Sequence, residues 1–249
     1  MEHYENQSAG IFLNVNIGYL HPGELLQNHV VFITGATGGM GRQIAKKCVQ
    51  QGAKVILADI DPKKLQILEE ELGTNCRSVC FDIKNISIFD EILETADGYF
   101  GHIDCLVNNA GISLHEGDFM NVTEKNWDDQ FDINLKAPYF LLQAWLRYYR
   151  SKEMKSGRIV MMASDTSGMG SSIPYGLSKA GISSLTHGLA KKLITEGVRI
   201  NAMAPGTTLT PMTDDFTHGE VCRATTAGKR ALFPEEIAEL CVFLLSDLS

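Results

Sequence analysis

Six short stretches of the chain are almost continuously apolar: HVVFI (29–33), KVILA (54–58), RSVCF (77–81), IDCLV (103–107), RIVMMA (158–163) and VRINAMA (198–204). Strands covered on both faces read this way, so the pattern predicts a parallel sheet between two helical layers. Between the runs the apolar spacing turns helical. Met40, Ile44, Ala45, Cys48 and Val49 share one face over 40–51. Asp61-Pro62 opens a helix carrying Leu65, Leu68 and Leu72, which Gly73 ends. Residues 124–150 predict a long helix bent at Pro138, and Ile182, Leu185, Leu189 and Leu193 a helix over 175–195. Strand–helix alternation from the first strand onward predicts an α/β chain with a Rossmann-like doubly wound parallel sheet in three α/β/α layers. Residues 24–249 read as one domain and residues 1–23 as an extension of unknown role. A last helix, PEEIAELCVFLL, closes the pattern with no seventh strand after it, so the native chain is expected to continue past Ser249.

Composition narrows the functional classes. The 249 residues are 44% hydrophobic and 21% charged, with a net charge of −8. No basic run supports binding to a phosphate backbone. No apolar run reaches the ~20 residues of a membrane helix, and GIFLNVNIGYL (10–20) is short and interrupted. Six cysteines without a C-x-x-C pair, and scattered histidines, give no metal pattern and suggest a reduced, cytoplasmic protein.

The chemistry begins at TGATGGMG (34–41), which follows the first strand and opens the first helix. Unpaired amides at a helix start suit a pyrophosphate, and glycine lets the backbone approach it. The loop fits both T-G-x-x-x-G-x-G and T-G-x-x-G-x-x-G; a turn chosen only for tightness is the bland alternative. Asp59 ends the second strand eighteen residues beyond Gly41. A carboxylate there can accept from ribose hydroxyls and repels a 2′-phosphate. The neutral Gly38 and Ile60 stand where an NADP enzyme often carries a base, so NAD is favoured over NADP. Further on, Tyr175 and Lys179 lie four apart on one helix face. A nearby ammonium is expected to lower the phenol pKa and make Tyr175 a usable acid/base.

With these motifs in order, the chain resembles the short-chain dehydrogenase/reductase family in its small single-domain branch. The resemblance runs from about residue 24 to 249. It rests on TGATGGMG, Asp59, CFDI with Asp82, NNAG (108–111), DINLKAPYF with Asn134, MMASDTSG with Ser164, YGLSK, APGTTLTPM (204–212) and GKRALFPEEIA (228–238). It implies that Gly35, Thr37, Gly39, Met40 and Gly41 hold the pyrophosphate side of a nicotinamide dinucleotide. Asp59 and Ile60 would meet the adenine ribose, and Asp82 and Ile83 the adenine. Asn108, Ala110 and Gly111 would wall the ribose and nicotinamide half, and Pro205, Gly206, Thr208 and Thr210 would meet the carboxamide end. It further implies Tyr175 as acid/base, Lys179 as its modulator and a nicotinamide-ribose ligand, Ser164 as the polariser of the substrate oxygen, and Asn134 as anchor of a proton-relay water. Ser164 lies eleven residues before Tyr175, a shorter gap than usual, so Ser167, Ser171 and Ser172 stand as alternatives.

The implied function is NAD(H)-dependent interconversion of a secondary alcohol and a ketone, without metal, by a homotetramer or dimer acting on a small molecule. Rival readings are a sugar-nucleotide enzyme of the extended branch, a 3-oxoacyl thioester reductase docking its carrier through Lys155 and Arg158, and a non-catalytic NAD-binding regulator. Pocket walls are expected at Ser113–Met120, Asp165–Pro174 and Thr207–Cys222, the last as a lid with Met212 and Phe216 as its apolar teeth. His115 reads as either a substrate contact or a surface histidine.

Overall fold

The computed structural model describes residues 2–6, 11–15 and 23–249. The extension expected over 1–23 lies largely outside the described residues; within it, strands Glu2–Asn6 and Ile11–Val15 pair antiparallel as a separate sheet. The larger sheet is built from β1 (Val30–Thr34), β2 (Lys54–Asp59), β3 (Cys76–Cys80), β4 (Cys105–Asn108), β5 (Gly157–Met162) and β6 (Val198–Met203). All pairings are parallel, in the order β3-β2-β1-β4-β5-β6. The order reverses between β1 and β4, so the connections leaving those two strands diverge and open a crevice at their carboxyl ends.

The alternating strand residues divide between two cores. Phe32, Ile56, Leu106 and Ile159 face α3 (Phe89–Phe100), α5 (Ala137–Ser151) and α6 (Pro174–Leu193). Val31, Ile33, Val55, Val107 and Val160 face α1 (Gly39–Gln50), α2 (Pro62–Leu72) and α8 (Pro234–Leu245). The two short remaining helices are α4 (Glu124–Phe131) and α7 (Asp214–Thr217). The α2 boundaries follow the sequence signals: Asp61 accepts from the amides of Lys63 and Lys64, and Gly73 ends the helix at φ 73°.

The bend expected at Pro138 is instead a π segment over Asp132–Lys136, in which the Ala137 amide donates to the Asp132 carbonyl five residues back. Pro138 has no N–H to return to the carbonyl of Asn134, so the helical turn at Asn134 widens.

At the amino ends of the strands, Asp104 accepts from the Val30 amide at 2.8 Å and lies 2.5 Å from His29 Nδ1. Arg158 reaches Asp104 at 3.4 Å and also pairs with Asp247. His29, Asp104 and Cys105 bring three donor atoms within 4.8 Å of one another. The Arg158 guanidinium supplies the positive charge there, so the group works as an ion-pair clamp joining β1, β4, β5 and the segment after α8.

Candidate active site

The glycine loop lies at the crevice, and its contacts decide between the two sequence patterns. Gly35 has φ +62°, and a Cβ on it would lie 2.8 Å from Ala110 Cα. A Cβ on Gly39 would lie 2.7 Å from Thr210 Cγ2. On Gly41 it would press into the Gly35 carbonyl oxygen and lie 2.8 Å from Asn109 Nδ2. Gly38 is only the N-cap of α1, and its nearest approach would be 3.3 Å. Contacts therefore require Gly35, Gly39 and Gly41, the T-G-x-x-x-G-x-G reading. No side chain caps α1 and no acid stands in its first turn, leaving the first amides open to an anion.

Gly35, Thr37, Gly39, Met40 and Gly41 line one wall of a cleft of about 400 Å³; Asp59, Ile60, Asp82, Ile83, Ala110 and Gly111 line the others. Asp59 is oriented by Thr37, whose amide and hydroxyl donate to Oδ2 at 3.0 and 2.8 Å, while the Ile60 amide donates to Oδ1 at 2.8 Å. Lys64, not singled out from the sequence, also lines this wall and pairs with Asp61 at 3.4 Å.

Asn108 lines neither this cleft nor the cavity beyond it; its side chain is buried and donates to Met161 Sδ. Its neighbour Asn109 lines both. Asn109 Nδ2 donates to the carbonyls of Thr34 and Gly35 at 3.0 Å each, and the Thr34 hydroxyl accepts from the Asn109 and Ala110 amides at 3.1 Å each. These bonds staple the diverging ends of β1 and β4. The sequence held Asn109 in plain view in NNAG, but a continuously apolar strand gives no parity to show which asparagine meets the crevice.

A second cavity of about 250 Å³ shares Met40, Asn109, Gly111, Thr210 and Met212 with the first, so the two are continuous. Ser164, Tyr175, Lys179, Pro205, Gly206 and Thr208 line it. Ser167, Ser171 and Ser172 do not. Ser164 caps the short 3-10 turn after β5, and its Oγ accepts from Thr166 Oγ1 at 3.0 Å. Lys179 is buried, donates to the Met162 carbonyl at 2.8 Å, and its Nζ lies 5.9 Å from the Tyr175 ring centre. Burial lowers the Lys179 pKa to about 8. The Tyr175 pKa is raised: burial is the largest cause, the Ser164 hydroxyl opposes it, and the Asp165 charge adds to it. The lowering by Lys179 expected from the sequence is not found: desolvation sets the direction, and the only lowering comes from the Ser164 hydroxyl.

Asn134 does more than bend a helix. Its Oδ1 accepts from the Ile112 amide at 2.8 Å, and its Nδ2 donates to the Ile112 carbonyl at 2.9 Å and to Ser178 Oγ at 3.2 Å. It thus fixes the chain after NNAG against α6, one residue before Lys179.

The pocket walls are narrower than the sequence suggested. Ser113 and His115, Asp165, Thr166 and Ile173, and residues of 207–216 line the cavity, whereas Met120 and Met169 are 75% and 77% exposed and lie outside it. His115 joins two walls: Nε2 lies 2.8 Å from the Met212 carbonyl, Nδ1 lies 3.2 Å from Ser113 Oγ, and the ring meets Phe216 edge-on at 5.4 Å.

A nicotinamide dinucleotide fits these residues. The uncapped start of α1 suits its pyrophosphate, and the oriented Asp59 suits a ribose diol. The buried Asn109 Oδ1 has no hydrogen-bond partner within the protein. Comparison with known proteins points the same way. The family model for short chain dehydrogenases matches residues 29–221. An uncharacterised oxidoreductase of Staphylococcus epidermidis is 34% identical over 230 residues, 90% of this chain and 94% of its own. Galactitol 2-dehydrogenase of Agrobacterium fabrum is 35% identical over 213 residues, 85% of this chain and 80% of its own. The crystal structure of a 3-ketoacyl-(acyl-carrier-protein) reductase from Brucella melitensis complexed with NADH superposes with a TM-score of 0.82 at 29% identity, covering 89% of this chain and 92% of that one.

Proposed function

The chain belongs to the short chain dehydrogenase family of oxidoreductases, and on that premise we propose that it interconverts a secondary alcohol and a ketone using NAD(H). The observation that carries this reading is the meeting of Tyr175, Lys179 and Ser164 in one cavity continuous with the glycine-loop cleft. Bound NAD(H) supplies the hydride acceptor or donor. Tyr175 takes the proton of the substrate hydroxyl during oxidation and returns it to the carbonyl oxygen during reduction. Ser164 turns its one hydroxyl proton from Asp165 Oδ1 to that oxygen, and protonated Lys179 stabilises the phenolate. Asn134 places the α6 residues and the 111–113 segment that frame this exchange and anchors a relay water.

Asp59 supports NAD over NADP, since its carboxylate would face a 2′-phosphate. The reading as a thioester reductase is weakened by Arg158, which is buried and paired with Asp104 and Asp247 rather than presented for docking. No helix among the described residues is long and apolar enough to cross a membrane. The free cysteines support a cytoplasmic location, and the exposed Tyr139 and Phe140 on α5 support a homo-oligomer, a tetramer by family habit.

The test follows NADH absorbance over a panel of sugars, polyols, steroids and short-chain alcohols, with NAD and NADP in parallel. Tyr175→Phe should lower kcat/KM by roughly 10²–10⁴-fold while NAD binding persists. NAD binding without turnover across the panel would favour the regulator instead.

A further inference from the structure

The substrate side of the cavity contains a carboxylate that the reaction does not require. Asp165 follows Ser164 at the end of β5, and its amide donates to the Pro205 carbonyl at 3.0 Å, which fixes its backbone. Its Oδ1 accepts from Ser164 Oγ at 3.1 Å, and its Oδ2 lies 3.3 Å from where a Cβ on Gly206 would stand. The carboxylate therefore sits between the Ser164 hydroxyl and the 205–207 wall. Among the described residues Lys179 is the only lysine or arginine lining this cavity, and its Nζ is held by the Met162 carbonyl. Asp165 makes no ion pair among the described residues. The other polar groups of these walls are mostly hydroxyls, from serine, threonine and Tyr175, joined by the Asn109 amide and the His115 ring.

We propose that Asp165 determines specificity, accepting a hydrogen bond from a hydroxyl on the carbon next to the reacting carbinol and so selecting neutral vicinal diols and polyols over simple alcohols and over 2-hydroxy acids. The inference rests on the proposed dehydrogenase activity and names the substrate class of that same site. The position of Asp165 supplies the reach: its carboxylate is 3.1 Å from the Ser164 hydroxyl and lines the same cavity as Tyr175, so a substrate oxygen held by those two residues has Asp165 within the compass of its next carbon. A carboxylate has acceptor capacity beyond the single bond from Ser164. Bonds to charged groups are the stronger ones, so a matched donor gains and an unmatched carbon gains nothing. A substrate carboxylate in the same place would meet a like charge that no ion pair of Asp165 relieves.

Three four-carbon probes separate these cases: 2,3-butanediol, 2-butanol and 2-hydroxybutyrate, each oxidised by the whole protein with NAD. The wild type should prefer the diol to 2-butanol by roughly 10–100-fold in kcat/KM and use 2-hydroxybutyrate least. Asp165→Ala and Asp165→Asn should each collapse the diol preference to within a few-fold and raise 2-hydroxybutyrate relative to 2-butanol. Because ratios are read, a general change in rate cancels. Unchanged ratios in both variants, an equal fall on all three probes, or a wild type that prefers 2-butanol or 2-hydroxybutyrate would each overturn the role of Asp165. Those outcomes leave the dehydrogenase reading standing as long as Tyr175→Phe lowers whatever turnover is seen by roughly 10²–10⁴-fold. A wild type inert toward the diol and every other alcohol would overturn both.

Discussion

Adding one methyl group at Gly41 or at Gly38 tests which glycines the loop requires. In Gly41→Ala the new Cβ would penetrate the Gly35 carbonyl oxygen and stand 2.8 Å from Asn109 Nδ2 and 3.0 Å from Ala36 Cα. Two of these neighbours are backbone in a turn held by Asn109 and Thr34, so relief requires moving α1 away from the loop. Overpacking of this kind costs about 3 kcal/mol, the upper end of the usual range. In Gly38→Ala the closest approach is 3.3 Å, and the cost is the poorer capping of alanine, at most about 1 kcal/mol. A difference of about 2 kcal/mol is roughly a 30-fold difference in the folded-to-unfolded ratio. At about 2–4 °C per kcal/mol for a chain of this size, Gly41→Ala should lower Tm by about 6–12 °C and Gly38→Ala by at most about 4 °C. Thermal unfolding by circular dichroism reads both, and isothermal titration with NAD should show weakened binding in Gly41→Ala alone. Equal shifts, or a larger loss in Gly38→Ala, would refute the assignment.

Two further outcomes follow from the active-site cavity. The folded Lys179 pKa of about 8 lies below its ordinary 10.5, so the unfolded chain binds more protons between those values and stability attributable to this residue rises with pH across that window. The burden is complete below about pH 8, is worth about 3 kcal/mol there, and is gone above pH 10.5. Four buried thiols act oppositely above pH 9, since Cys48, Cys76, Cys105 and Cys241 keep their protons in the fold. The measurement is therefore the urea stability of Lys179→Met minus that of wild type, which should shrink as pH rises from 8; a pH-independent gap would contradict it. His115→Ala removes the bond to the Met212 carbonyl and the contact with Phe216, together worth about 1–3 kcal/mol. Hydrogen exchange over 207–217 should accelerate and KM should rise by roughly tenfold, whereas unchanged exchange would show that His115 does not hold this segment.

The sheet and its helices were legible because strand and helix periodicities differ and because Asp61, Pro62 and Gly73 mark one helix end to end. Tyr175 and Lys179 were legible for the same reason: four residues in a helix is one turn. What the sequence concealed depends on contacts between distant segments. Asn109 owes its place to Thr34 and Gly35, 75 and 74 residues away. Ser178 gains its place from Asn134, and no local pattern in YGLSK distinguishes it from a solvent-facing serine. The turn at Asn134 was read as a proline bend because Pro138 is visible in sequence, whereas the widening it causes upstream is set by a hydrogen bond that is not made. The Tyr175 pKa was misjudged in direction because a sequence shows the neighbouring charge but not the depth of burial.

The clamp of His29, Asp104, Arg158 and Asp247 has a practical consequence for redesign. It gathers the strands at the end of the sheet remote from Tyr175 and the cavity, and it shares no residue with the segments 113–115, 165–173 and 207–216. Libraries that randomise those three segments would leave the clamp and both cores untouched, so substrate range could be explored while the framework keeps most of its tolerance for mutation.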